Sequence, residues 1–137
     1  MDRPVRHFQE ELETMQARLL EMGGLAEERV RVAVQGLMTR DVALIDRIIG
    51  GDEPLNQLHV EIDDRCFRLL ALHQPMAIDL RAIVAAVKVN SDLERVGDLA
   101  VNIAEAARRY VDHPPVKQLI DIPRMGDREN FSRELDI

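Results

Sequence analysis

Cysteine and aromatic residues are scarce in this sequence. Its 137 residues include one Cys, one Tyr, three Phe and no Trp. The single cysteine, Cys66, cannot form an internal disulfide, and its flanking residues hold no second Cys or nearby His at a zinc-binding spacing. A core with so few aromatics has to be built from Leu, Ile, Val, Ala and Met, a mixture that favours helices. We therefore expect an all-α protein of the cytoplasm.

Long apolar runs and a positive net charge are also absent. The longest apolar run, residues 82–87, ends at Lys88, and the first residues hold no apolar stretch of the kind found in signal peptides. This predicts no direct insertion into a membrane. The net charge of -7 argues against nucleic acid or a bare anionic membrane as the main partner, because both attract clustered Lys and Arg. A basic patch on a partner protein would suit this chain better.

Apolar residues recur at steps of three and four over three long segments, which is the pattern of amphipathic helices. The segments cover about residues 5–39, 41–73 and 76–111. Helices joined by such short turns predict an antiparallel three-helix bundle over residues 1–113. The remaining residues, 114–137, are charged and poorly periodic, so we expect a poorly structured tail.

Two stretches of the predicted helices contain helix-weakening residues. Gly23 and Gly24 each cost about 1 kcal/mol relative to Ala, but the apolar stripe continues in phase across them, which predicts a weak point or close packing rather than a break. Residues 50–54 combine two glycines with Pro54, and these should interrupt or kink the second helix. Asp52 is placed to cap the restart.

The third helix has two different halves. At about 100° per residue, its second half should bury one apolar side, made of Val96, Leu99, Ala100, Ile103, Ala107 and Tyr110. Its first half is apolar nearly all round, because Leu80, Ile83, Val84 and Val87 occupy the direction that later carries acidic residues. A three-helix bundle leaves an outer face on each helix, so this second apolar face lacks a cover. We expect self-association or a neighbour from outside the chain.

Glu94, Asp98 and Asn102 follow one another at intervals of four, with Gly97 among them. A solvated helix face is the simplest interpretation of such a line. Asp98 lies three residues from Arg95, an ordinary intrahelical partner, whereas Glu94 has no opposite charge one turn away. A group outside the helix would have to compensate the charge of Glu94.

Oxygen atoms on successive helical turns also suit a hard cation such as Mg, Ca, Mn or Fe. Glu94, Asp98 and Asn102 are therefore candidate metal ligands, and the absent side chain of Gly97 would leave room for a neighbour or a ligand cluster. Three such residues supply too few oxygens for a closed site, so further ligands would have to come from another helix or another chain. On the second helix, Asp63 and Asp64 are the candidates.

Motifs of enzymes are missing. The sequence has no E-x-x-H pair, no glycine-rich phosphate loop and no G-x-S-x-G elbow. We therefore predict a protein that is not an enzyme. The alternative is a carboxylate-bridged metal-binding helical protein, or an enzyme, assembled at a dimer interface.

Five stretches together resemble one protein family. In order along the chain they are HFQEELETM, MGGLAEE, EIDDRC, QPMAIDLR and DLERVGDLAVNIAE, and they cover most of residues 7–110. Their order and spacing resemble those of the PhoU family of phosphate-transport accessory proteins. Members of that family look like two three-helix bundles side by side, each with one E-x-x-x-D motif, and some bind metal clusters there.

The resemblance implies a cytosolic regulator of phosphate homeostasis that is not an enzyme. Such a protein negatively regulates a phosphate ABC transporter and its sensor-kinase signalling when phosphate is plentiful. The implied partners are the ATPase subunit of the transporter and a phosphate-sensing histidine kinase. The uncovered apolar face separately predicts a second copy in a homodimer. The implied cofactor is a multinuclear iron or divalent metal (Fe, Mn, Mg) at the motif, which here falls on Glu94 and Asp98 with Asn102 one turn further on.

Three features depart from the family pattern. The second motif is absent, although residues 120–125 resemble the start of a second bundle. Pro54 stands within a helix that the family builds as continuous, and His59 replaces a residue that is more usually acidic. His59 could ligate a metal with Asp63 one turn away, although an exposed contact is the simpler interpretation. A chain with one motif could dimerise through its uncovered face, or could be an inactive fragment.

Overall fold

The structure, a computed structural model, describes residues 3–51 and 53–113, apart from the side chain of Pro4. Four helices run through this part of the chain: α1 (Arg3–Thr39), α2 (Val42–Ile49), α3 (Glu53–His73) and α4 (Ala77–Val111). There is no strand in either described range. The predicted cap at Asp52 and the predicted tail of residues 114–137 lie outside the described residues.

The first helix is continuous over 37 residues. Gly23 and Gly24 lie within it without a break, as predicted, but the predicted close packing is wrong. A Cβ added at either glycine would meet no atom within 4 Å. The two glycines weaken the helix without letting any neighbour approach.

The predicted second helix is two helices rather than one kinked helix. Asp41 caps α2, because its carboxylate accepts hydrogen bonds from the N–H groups of Ala43 and Leu44. Gly50 ends α2, and Gly51 follows with φ +99°, a left-handed conformation that favours glycine. The carbonyl oxygens freed at this break accept from buried Arg29, whose guanidinium donates to Ile48 O at 2.9 Å and to Gly51 O at 3.4 Å.

Contacts across the bundle show its topology. Arg18 binds Glu61, and Glu11 binds His73, so α1 and α3 run antiparallel. Helix α4 packs along both α1 and α3, while α2 covers the end of α1 and the second half of α4. The described residues thus confirm the predicted all-α bundle, with α2 and α3 together as its middle member.

The core consists of two clusters. One joins α1, α3 and the first half of α4, with Met15, Met22, Ile62 and Ile83 fully buried. The other joins the end of α1, α2 and the second half of α4, where the helix presents small residues: Ala100, Ala104 and Ala107. No helix of the described residues is both long enough and apolar enough to cross a membrane.

One prediction about α4 needs correction, and another agrees with the structure. Leu99 was expected in the core but is 52% exposed, because the buried stripe runs through Gly97, Ala100 and Ala104 and leaves Leu99 on the outer side. The first half of α4 has the uncovered apolar face that the sequence predicts, since Leu80 and Val84 are exposed. Ile83, which the sequence assigns to that face, is fully buried instead.

The empty surroundings of Gly24 generate a stability prediction. Gly24→Ala should raise the free energy of unfolding by up to about 1 kcal/mol, because Ala loses less backbone entropy in a helix and meets no atom here. Urea titration followed by circular dichroism measures the change. Gly51→Ala is the matched control and should destabilise, because its φ is positive. Loss of stability in Gly24→Ala would contradict the open environment.

Candidate functional site

Helix α4 carries the predicted site residues in one line on its outer side. Glu94 is partly exposed, and Asp98 and Asn102 are exposed on the next two turns. Because residues four apart lie one above the other on a helix, their side chains form an acidic line along the edge of α4 that faces α3. Of the three residues, Glu94 contacts α3.

The partner of Glu94 is His59 on α3. His59 Nε2 lies in hydrogen-bonding contact with Glu94 Oε2, and the imidazole is only 24% exposed. The sequence predicted a compensating group outside the helix of Glu94, and the structure identifies it. The simple exposed contact expected of His59 is instead a half-buried contact between helices.

Asn90, one turn before Glu94, completes the connection between the two helices. It is fully buried, and its amide nitrogen donates to His59 O at 3.0 Å and to Asp63 Oδ1 at 3.1 Å. Its amide oxygen lies 3.1 Å from His59 Nδ1. Every polar atom of this buried amide therefore has a partner, as buried polar groups require.

These contacts restrict the protons of His59. The amide nitrogen of Asn90 faces two acceptors, His59 O and Asp63 Oδ1, so it is the donor in both hydrogen bonds. Asn90 Oδ1 can then only accept, and His59 Nδ1 must donate to it. His59 Nε2 then faces the Glu94 carboxyl group, and a hydrogen bond there needs a second proton on either the ring or the carboxyl. With the proton on the ring, the contact is an ion pair that neutralises Glu94.

Asp98 lacks the intrahelical ion pair with Arg95 that the sequence predicts. Its expected partner Arg95 lies 3.7 Å from Asp92 instead. Asp98 makes no ion pair with any of the described residues, and it is exposed. The free carboxylate of the acidic line is therefore that of Asp98, while Glu94 is paired.

Gly97 leaves room for a neighbouring helix, which is one of the two possibilities that the sequence offers. A Cβ at this position would clash with Leu55 Cδ2 on α3, and Leu55 is buried. The glycine lets α3 approach α4 closely one turn beyond the His59 contact. Close helix packing therefore explains why a helix-weakening residue stands among Glu94, Asp98 and Asn102.

Comparison with known proteins decides the family. The model of the PhoU domain matches residues 19–107. The chain belongs to the PhoU family. Among curated relatives, the phosphate-specific transport system accessory protein PhoU homolog of Caulobacter vibrioides strain CB15N is 42% identical over 123 residues, which is 89% of this chain and 54% of the relative.

Two other relatives extend the comparison. The PhoU homolog of Aquifex aeolicus is 40% identical over 117 residues, or 85% of this chain and 53% of its own. The PhoU protein of Escherichia coli K12 is 33% identical over 119 residues, or 87% of this chain and 49% of its own. The chain thus spans about half the length of the curated relatives it matches.

Metal binding at this PhoU motif stays a prediction. The described residues contain no group of three or more His, Cys, Asp or Glu side chains arranged to hold a metal ion. The two candidate ligands on α3 are engaged elsewhere, Asp63 with Asn90 and Asp64 with Arg68 at 3.1 Å. An ion bound by Glu94, Asp98 and Asn102 would therefore need further ligands from outside the described residues, as the sequence also predicts.

Other ionisable groups near α3 have perturbed pKa values. Burial, and then the nearby charge of Asp63, raises the pKa of the Cys66 thiol to about 11, so this thiol stays protonated at neutral pH. Hydrogen bonding from Arg65 lowers the pKa of Glu61, with further help from Arg18 and against partial desolvation. Glu61 is therefore ionised at neutral pH, and its ion pair with Arg18 joins α3 to α1.

Sequence reasoning missed Asn90 and the role of His59. Asn90 stands on the buried stripe of α4, seven residues before Gly97 and seven after Ile83, and an amide in such a position needs a partner. The spacing within α4 could show that Asn90 is buried. It could not show which residue of α3 lies opposite.

The contact between Gly97 and Leu55 predicts how substitutions combine. Gly97→Ala should destabilise the protein, because overpacking costs about 1–3 kcal/mol and the gain in helix propensity is only about 1 kcal/mol. In a Leu55→Ala background the clashing methyl group is gone, so Gly97→Ala should become neutral or stabilising. Denaturant unfolding of the four proteins measures both effects. The same stabilising effect in both backgrounds would contradict the close approach.

Proposed function

We propose that this chain is an accessory regulator of phosphate uptake, which restrains a phosphate ABC transporter and its sensor-kinase signalling when phosphate is plentiful. The observation that supports this proposal is a sequence identity of 33–42% to proteins named as PhoU or its homologs, over nearly the whole of this chain. Because the chain spans about half of those relatives, the activity of the whole protein is part of the proposal.

In this proposal the chain acts by contact and not by catalysis. Its partners are the ATPase subunit of the transporter and a phosphate-sensing histidine kinase, and contact with them places the chain in the cytoplasm. The free carboxylate of Asp98 and the net charge of -7 support an interaction with basic surfaces. Glu94 is the less accessible of the two carboxylates, because His59 lies against it.

A reporter assay tests the regulatory role. The chain is expressed at high phosphate in a bacterial strain without its own PhoU, together with a reporter under a promoter that responds to phosphate starvation. We expect the reporter signal to fall by about tenfold or more relative to the empty vector, because regulatory coupling between two sites is typically of this order. An unchanged signal, with the chain present in soluble form, would refute the role for this chain.

Capture of the purified ATPase subunit and of the purified kinase tests the acidic line. Glu94→Ala/Asp98→Ala should lower the amount captured several-fold, because both substitutions remove oxygens that face a basic partner. Glu13→Ala/Glu27→Ala removes the same charge from exposed positions of α1 and is the matched control. Equal capture by both double variants would exclude a specific role for the line.

A further inference from the structure

An exposed apolar surface lies between α3 and α4, and we define it by Phe67 and Leu70 of α3 and Leu80, Val84 and Val87 of α4. Phe67 is 69% exposed, and the three residues of α4 are 41%, 44% and 40% exposed. Single exposed apolar residues are ordinary, but contiguous apolar patches mark binding surfaces. Whether these five residues form one patch depends on the register of the two helices.

The register follows from the contacts at the other end of the pair. Gly97 lies against Leu55, and both Asn90 and Glu94 contact His59. Antiparallel helices with these contacts bring residues 67–70 of α3 beside residues 80–87 of α4. Phe67 and Leu70 lie on the same side of α3 as Asp63, which contacts Asn90. By this register the five apolar residues lie along the adjoining edges of α3 and α4, and we call the surface between these edges the groove.

The groove changes character along its length. Towards the α3–α4 turn it is apolar, and beyond Asn90 it is edged by carboxylates: Asp63, Glu94 and Asp98. His59 lies in hydrogen-bonding contact with Glu94, and Asn90 donates a hydrogen bond to Asp63. Asp98 has no charge partner among the described residues. The same surface thus offers an apolar half followed by an acidic end.

We propose that this α3–α4 surface docks an amphipathic helix of a protein partner. The aliphatic face of that helix would lie against Phe67, Val84 and Val87, and its Lys or Arg side chains would face Asp98. Binding of an amphipathic helix in an apolar groove is a common mode of recognition, and a charged end sets its direction. The proposal rests on the proposed function only in assuming that the partner belongs to a regulatory complex.

Charge favours a basic partner over a second copy of the chain. Two copies would each bring a net charge of -7, and neither acidic end would gain a basic complement from the apolar half of the other. Self-association through this face, which the sequence also predicts, is therefore one of the outcomes that the experiment has to distinguish.

The test uses fluorescence anisotropy with a labelled synthetic helix of about 18 residues, roughly the length of the groove. The probe has Leu on one face and three Lys near one end. One comparison peptide has Glu in place of Lys, and another has Ser in place of Leu. We expect binding of the probe and weaker binding of both comparison peptides, with an affinity for the probe that falls as salt screens the acidic end.

Variants of the chain locate the binding. Val84→Asp and Phe67→Ser should each weaken probe binding about tenfold, since each removes an apolar contact near the centre of the surface. Val89→Asp makes the same substitution at a similarly exposed position on another side of α4, so it should change binding less than about twofold. Phe67→Ser covers the case in which Val84→Asp fails to fold, and circular dichroism verifies each variant.

Three results would overturn the proposal. No binding of the probe is the first, and equal weakening by Val84→Asp and Val89→Asp is the second. The third is a wild-type dimer in light scattering that Val84→Asp converts to a monomer, which would assign the surface to a second copy. None of these results involves the transporter, so they are distinguishable from a failure of the proposed function.

Discussion

The buried amide of Asn90 constrains how α3 and α4 meet. A fully buried amide has to satisfy its donors and its acceptor, and all three partners of Asn90 lie on α3. Sliding one helix along the other by a turn would leave these groups unpaired. The amide therefore specifies one register, which an aliphatic residue in the same place would leave open.

That register determines what the outer surface presents. It places His59 against Glu94 and lets Leu55 fit over Gly97. It leaves Phe67, Val84 and Val87 exposed. The paired carboxylate, the free carboxylate of Asp98 and the apolar groove are thus consequences of one helix pairing. The proposed role by contact depends on such a fixed surface.

Much of the fold follows from local patterns in the sequence. Apolar spacing predicts the long helices, and two glycines with Pro54 predict the interruption that the structure shows between Ile49 and Glu53. The difference between a kink and a break was not predictable, because it depends on Arg29, a residue of α1 that binds the freed carbonyl groups. Local rules describe one helix at a time.

The site was less predictable for the same reason. Spacing within α4 correctly singled out Glu94 as a carboxylate without an intrahelical partner, but it assigned Arg95 to Asp98, although Arg95 has two acidic neighbours to choose from. The sequence could not show whether Gly97 makes room for a neighbour or for a ligand, because Leu55 lies 42 positions away in the chain. Contacts between helices decide each of these cases, and they depend on the register that Asn90 specifies.

The free energy of unfolding of Asn90→Ala tests this account most directly, with Asn102→Ala as the matched control. Asn90→Ala should lower it by about 2–3 kcal/mol, because His59 and Asp63 lose a buried partner. Asn102 is exposed on the same helix, so Asn102→Ala should leave the free energy unchanged or raise it slightly through helix propensity. Equal stability of the two variants would contradict a register fixed by the buried amide.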